Sequence, residues 1–158
     1  MQIQALAGNH NRKAFDSGRQ ELNDWLKKIA RQHQEKGVSK TYIATDDDNS
    51  GVILAYYALT LSEIDNAHLP ESHRKNFPRR IPAVKLGRLA VHKDYQGNKL
   101  GELLLVDALM RTRRIYKEAG GIGLFVDALD LHAAAYYRRF GFDAPPDHPL
   151  MLFLPVNY

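Results

Sequence analysis

The residues best placed to do chemistry are Gln96, Gly97 and Gly101 of the stretch YQGNKLGELLL, which starts at Tyr95 and leads into an apolar, helix-forming run. Directly before it, RLAV reads as a strand ending at Val91. A turn from a strand into a helix presents N–H groups that have no intrahelical acceptor, with the positive end of the helix dipole behind them. Such a turn suits an anion, a pyrophosphate above all, held by the N–H groups from about Asn98 to Glu102. The spacing is neither the dinucleotide GxGxxG nor GxxxxGK[ST], so the two commonest phosphate loops are excluded. A purely structural turn is the competing reading of the same residues.

A second pair to weigh is Tyr136 and Tyr137 in AAAYYRRFGF. Neighbours on a helix point about 100° apart, so one of them packs and the other is free to reach a site. His92 and His132 read as bland surface positions, and His10, His33, His68, His73 and His148 show no ligand-like spacing, so no metal is expected. The chain has no cysteine, which excludes disulfides, thiolate zinc sites and a cysteine nucleophile.

Charge gives a weaker pointer. The formal net charge is +4, but from Ser72 to Lys93 the chain carries Arg74, Lys75, Arg79, Arg80, Lys85, Arg88 and Lys93 with no acid. A second cluster is Lys27, Lys28, Arg31, Lys36 and Lys40. One cluster alone reads as a solvated face; two of them with the acid-free gap suit an anionic partner.

The elements that must position these residues follow from pattern. The 158 residues, 44% hydrophobic, fit one domain with a real core, 1–158. No apolar run approaches the roughly 20 residues that span a bilayer, and the opening MQIQALAGNH is no signal peptide, so a cytoplasmic protein is expected. Ser17 and Gln20 stand at capping-box spacing ahead of Leu22, Trp25, Leu26 and Ile29, which predicts one amphipathic helix ending by Gly37. TYIAT and GVILAYYALTL flank the turn DDDNSG as a hairpin, and AVKLGRLAV is a third strand. Between them, Asn66 to Pro82 reads as a loop with a short helix inside it. Leu100 to about Glu118 is helical and apolar on more than one side near its start, implying burial against a sheet. IGLFVDA is a buried strand, Asp130 caps a helix stopped by Gly141, and LMLFLPV is a last strand. The fold class is α/β or α+β, a central mixed sheet flanked by helices.

RLAVHKDYQGNKLGELLL resembles motif A of the GNAT superfamily of N-acetyltransferases, and AAAYYRRFGF resembles the motif B that accompanies it. FDSGRQELNDWL, AYYAL, LGRLAV and RRFGF with LFLPV are together similar to the GNAT-type toxins of bacterial toxin-antitoxin modules, over nearly the whole chain. The resemblance implies a GNAT fold whose mostly antiparallel sheet is splayed at an acetyl-CoA site. It implies cofactor contacts from Leu89, Ala90, Val91, Gln96, Gly97, Asn98, Lys99, Leu100, Gly101 and Glu102, with a main-chain N–H of the strand Leu89 to Val91 on the thioester oxygen. Tyr137, at the family's tyrosine position, is the implied general acid, because a phenol stays protonated at neutral pH and can donate to a thiolate. One residue departs from the pattern: Lys99 stands where the family usually has glycine, which strains the turn if the position needs positive φ and adds a phosphate contact if it does not.

Toxins of this type acetylate the α-amino group of aminoacyl-tRNA and are held by an antitoxin, often with a ribbon-helix-helix part. Such an amine has a pKa of about 7.7 to 8.0, so a strong general base is not obligatory. The implied RNA contacts are Lys27, Lys28, Arg31, Arg79, Arg80, Lys85 and Arg88. A homodimer is left open, and no membrane is involved. Two other readings stand beside this one: a GNAT enzyme acting on a small amine or a protein terminus, and a GNAT-fold binding module in which Lys99 has abolished cofactor binding.

Overall fold

In chain order the elements are β1 (Gln2–Ala5), α1 (Gln20–Lys28), α2 (Ala30–Glu35), β2 (Lys40–Thr45), β3 (Ile53–Asp65), α3 (Glu71–Arg74), β4 (Arg80–Val91), α4 (Leu100–Ala119), β5 (Gly123–Asp127), α5 (Leu131–Arg138) and β6 (Met151–Pro155). They belong to a computed structural model that describes residues 1–156; Asn157 and Tyr158, the end of the expected 1–158 domain, lie outside the described residues. The strands form one six-stranded sheet in the order β1-β2-β3-β4-β5-β6. Pairings β1/β2, β2/β3 and β5/β6 are antiparallel and β4/β5 is parallel, with α4 as the crossover that a parallel pair requires. This is the mixed, mostly antiparallel sheet expected. The parallel pairing covers Val84 to Leu86 against Leu124 to Val126, whereas β4 runs on to Val91.

The chain divides into two compact units. The first comprises Met1–Thr60 with Arg88–Ala108. Its core gathers Leu6, Phe15, Trp25, Leu26, Ile43, Ile53 and Tyr56. Trp25 stacks on Tyr56 with ring centroids 6.0 Å apart, and the Tyr56 hydroxyl donates to the Leu22 carbonyl at 2.6 Å, so α1 is fixed by its apolar face and by one polar bond. Two expectations are corrected in this unit. The predicted single helix to Gly37 breaks at Ile29 (φ −120°, ψ −39°) into α1 and α2. The capping box does not form either: Arg19 holds the N-cap position, and Ser17 is drawn away because the buried Asn23 carboxamide takes both its N–H and its Oγ–H at 2.8 Å.

The second unit comprises Leu61–Gly87 with the chain from Leu109 onward, built around Ile64, Leu69, Ile81, Ala83, Phe125 and Phe153. The expected loop holds a 3₁₀ turn (Asn66–His68) and α3, but the strand after it starts at Arg80 rather than beyond Pro82. Gly123 is required by packing: an added Cβ would meet the Leu154 carbonyl oxygen at 2.4 Å. Asp130 caps α5 as predicted, its carboxylate accepting from the Ala133 N–H at 2.8 Å, and Gly141 (φ +94°) follows the helix end.

Along α4, Leu100, Leu104, Leu105 and Ala108 are buried, whereas Leu103, Val106 and Met110 are 50%, 48% and 57% exposed. The expected burial is met along one arc, while the i, i+3, i+7 set Leu103, Val106 and Met110 turns away from the core.

Candidate active site

The turn between β4 and α4 is built residue by residue in the first unit. After Val91, the His92 N–H donates to the Leu54 carbonyl at 2.8 Å, and His92 Nδ1 accepts from the Asp94 N–H at 3.1 Å to open a 3₁₀ turn, Lys93–Tyr95. The His92 ring lies edge-on to Phe15 at 5.9 Å and to Tyr95 at 5.8 Å. His92 is thus a half-buried packing and capping residue, not the surface position expected, because its ring is apolar enough to close the Phe15 side of the core.

From Gln96 the backbone is extended, then turns at Gly97 (φ +85°) and again at Lys99 (φ +61°), the one non-glycine residue with positive φ among the described residues. The Lys99 carbonyl accepts the N–H of Leu103 at 3.1 Å, the first bond of α4. Among the described residues, no protein acceptor takes the backbone N–H of any residue from Gly97 to Glu102. A run of unpaired N–H groups at the head of a 20-residue helix is an anion-binding arrangement. Space agrees, since an added Cβ on Gly97 would meet nothing within 4 Å. The question posed by Lys99 is answered on the side of strain: the position does need positive φ, at about 1 kcal/mol for a side chain, and the lysine there is exposed.

The strand residues expected at the cofactor divide by burial. Ala90 lies in the core of the first unit, and Leu89 and Val91 are half-buried. The Gln96 side chain points back, its Nε2 donating to the carbonyls of Val91 at 3.0 Å and Ser17 at 2.9 Å. That bond to Ser17 brings in Asp16, Ser17 and Asn23, which sequence reading did not assign to the site although all three lie in FDSGRQELNDWL. The signal available was an acid and an amide placed to bracket a helix start.

In the second unit, Tyr137 is 6% exposed, with its ring edge-on to Tyr136 at 5.5 Å and to Phe142 at 5.8 Å. Burial first, then the neighbouring Tyr136, push its phenol above the ordinary value of 10.0. Tyr136 is half-buried, with Phe140 at 5.2 Å and the Arg139 guanidinium at 5.9 Å from its ring. His132 is exposed. Among the described residues no group of His, Cys, Asp and Glu could hold a metal ion.

The basic residues do not form one bare surface. Arg79 faces Asp65 at 3.7 Å, Arg80 faces Glu63 at 3.6 Å and Lys85 faces Asp127 at 3.6 Å, so acids from β3 and β5 fill the acid-free gap in the sequence. Arg79 and Arg80 are still 81% and 72% exposed at the side chain. Arg88 lies over the Trp25 ring at 4.4 Å, a cation–π contact. On α1 and α2, Lys28 pairs with Asp24 at 3.9 Å and Arg31 with Glu35 at 3.1 Å, while Lys27 is half-buried.

Comparison with known proteins bears on this geometry. A model of the acetyltransferase (GNAT) domain matches residues 37–144. A tRNA-acetylating toxin of Mycobacterium tuberculosis is 35% identical over 141 residues, 89% of this chain and 83% of that one. Among solved structures, AtaT complexed with acetyl-methionyl-tRNAfMet superposes with a TM-score of 0.89 at 30% identity, covering 98% of this chain and 94% of that one. A mutant AtaT toxin bound to the C-terminus of the antitoxin AtaR and to acetyl-CoA gives 0.81 at 28% identity, covering 98% and 92%.

Proposed function

The chain belongs to the GNAT acetyltransferase family, and on that premise we propose that it transfers the acetyl group of acetyl-CoA to the α-amino group of an aminoacyl-tRNA, blocking translation as a toxin does. The observation that supports this most is the run of unpaired N–H groups from Gly97 to Glu102, in a chain 35% identical to a tRNA-acetylating toxin. We read residues 1–158 as one acetyltransferase domain working in the cytoplasm, where charged tRNA is found. No helix among the described residues is long and apolar enough to cross a membrane.

Acetyl-CoA supplies an activated acyl thioester. In our reading the N–H groups of Gly97 to Glu102 hold its pyrophosphate. A main-chain N–H of Leu89 to Val91 donates to the thioester oxygen as negative charge develops there. The attacking amine needs no strong base, since an α-amino group is in appreciable part neutral near pH 7.5. Tyr137 gives its proton to the departing sulfur, and the proton that the attacking nitrogen loses as the amide forms restores the phenol; with its phenol pushed above the ordinary value, Tyr137 is protonated at every physiological pH before the reaction. Arg79 and Arg80 contact RNA phosphates, and an antitoxin partner restrains the enzyme, as the AtaT complex with the C-terminus of AtaR suggests by analogy.

The test is direct. Purified protein, bulk charged tRNA and labelled acetyl-CoA should yield label in N-acetyl-aminoacyl-tRNA. Label found in free amines but never in charged tRNA would replace the substrate with a small molecule, and absence of acetyl-CoA binding by calorimetry would leave only a binding module.

A further inference from the structure

The segment FDSGRQELNDWL contributes to the resemblance to the toxins, yet nothing in the chemistry above uses it. The structure assigns it a positioning role, in which Asn23 holds the acetyl-CoA loop in place by acting through Asp16 and Ser17 on Lys93 and Gln96. This inference rests on the loop from Gly97 to Glu102 being the cofactor site, and goes beyond it by naming what fixes that loop.

The path is short and every link is a direct contact in the first unit. Asn23 is 5% exposed, on the first turn of α1. Its Oδ1 accepts both the N–H and the hydroxyl of Ser17 at 2.8 Å, and its Nδ2 donates to Asp16 Oδ1 at 2.9 Å. Asp16 Oδ1 also accepts the N–H of Gly18 at 2.9 Å, closing a turn at Gly18, which has φ +85°. The bent segment then grips the cofactor turn twice. The Asp16 carbonyl accepts the Lys93 N–H at 2.8 Å while its carboxylate pairs with Lys93 Nζ at 3.2 Å. The Ser17 carbonyl accepts from Gln96 Nε2 at 2.9 Å, and the same Nε2 reaches Val91 at 3.0 Å.

The consequence is geometric. Among the described residues, the N–H groups from Gly97 to Glu102 have no protein acceptor to hold them, and the loop carries a strained residue at Lys99. A loop of that kind is fixed only by what precedes it and by the helix that follows. Gln96 is the last residue before Gly97 with a side-chain anchor, and its anchor is a carbonyl whose position Asn23 sets. Asn23 binds no ligand in this scheme; it stops Ser17 and Asp16 from turning away from Lys93 and Gln96.

The test measures acetyl-CoA affinity and turnover on the full chain. Asn23→Leu, close in volume and unable to make any of the three bonds, should raise the Kd for acetyl-CoA about tenfold, with kcat at saturating cofactor within about twofold. Gln96→Leu should do the same, and the double variant should be no worse than the more affected single variant, because both act through one carbonyl. Lys93→Met, at an exposed position, should raise Kd about two- to threefold. The inference is overturned if the wild type binds acetyl-CoA and the three variants bind it equally well, or if the Asn23 and Gln96 effects on Kd simply multiply. If Asn23→Leu does not fold, the outcome is decided by Lys93→Met and Gln96→Leu alone, and unchanged affinity in both overturns it. A wild type that binds no acetyl-CoA at all removes the functional reading itself, a distinct result.

Discussion

The hydroxyl of Tyr116, on the last turn of α4, donates to the carbonyl of Gly123 at 2.6 Å. The same oxygen accepts the N–H of Val84 at 2.7 Å, so one buried phenol ties the backbones of β4 and β5 just where their parallel pairing begins.

Tyr116→Phe should therefore destabilise the fold by about 1–3 kcal/mol, because a buried donor and a buried acceptor lose their partner together. Urea unfolding should show a lower midpoint with an unchanged slope. An unchanged midpoint would mean that water or backbone relaxation replaces the hydroxyl.

Tyr137→Phe should remove turnover by about 10²- to 10⁴-fold while leaving acetyl-CoA affinity nearly unchanged, since a general acid acts in the transition state. Tyr136→Phe should be mild. With the Tyr137 phenol pushed above 10.0, the folded chain keeps this proton better than the unfolded one. Its contribution to stability is thus complete below pH 10 and is lost at higher pH, and no loss of activity below pH 10 should arise from its ionisation. Reversal of the two variants would exchange their roles.

Gly97→Ala and Lys99→Gly should move stability in opposite directions. At Gly97 an added Cβ meets no atom, so its cost is the left-handed backbone alone, about 1–2 kcal/mol. Lys99→Gly relieves the same strain at φ +61° and should gain about 0.5 kcal/mol after the larger chain entropy of glycine is subtracted. Tighter acetyl-CoA binding in Lys99→Gly would show that the side chain crowds the phosphates.

Reversal of Arg79 and Arg80 to glutamate should raise the KM for charged tRNA and flatten its salt dependence by about 0.7 to 0.9 in log-log slope per lost contact. Because the two already face Asp65 and Glu63, neutralising those acids should have the opposite effect and lower KM. Equal losses on charged tRNA and on an amino-acid amide would place the defect in folding.

The Asp16 carboxyl is held down at about 2 by the Gly18 N–H, the Asn23 amide and Lys93. The unfolded chain binds this proton more tightly, so the stabilisation is present above the ordinary value of 3.8 and disappears as pH falls toward 2. Asp16→Asn should be less stable than the wild type at pH 7, and the two unfolding curves should converge between about pH 4 and 2.

Most elements were legible because each has a local signature. Alternation marks the β2–β3 hairpin, and Asp130 and Gly141 bracket α5. The strand β1 was not, since four residues carry too little alternation to stand out. The break at Ile29 has a tertiary cause: Gln34 on α2 donates to the Leu6 carbonyl at 2.8 Å and accepts from the Thr41 N–H at 3.0 Å, and no periodicity announces bonds to β1 and β2 neighbours. The glycine-bearing turn between β4 and α4 was readable from its spacing, but not the positive φ of Lys99, for a lysine points away from that conformation. The basic run from Ser72 to Lys93 looked unopposed because its acids, Glu63, Asp65 and Asp127, are contributed by other strands.

The spatial order of the strands repeats their order in the chain. During synthesis each strand therefore meets its neighbour as soon as both have left the ribosome. Long delays fall after β1, while α1 and α2 are made, and after β4, while the residues of α4 are made before β5 can pair. A nascent chain paused there presents β4 as an open edge, the most aggregation-prone moment in its assembly. Pairing of β5 with β4 closes that interval, so loss of β6 alone should spare the early sheet, whereas a stop before Gly123 should leave an insoluble fragment.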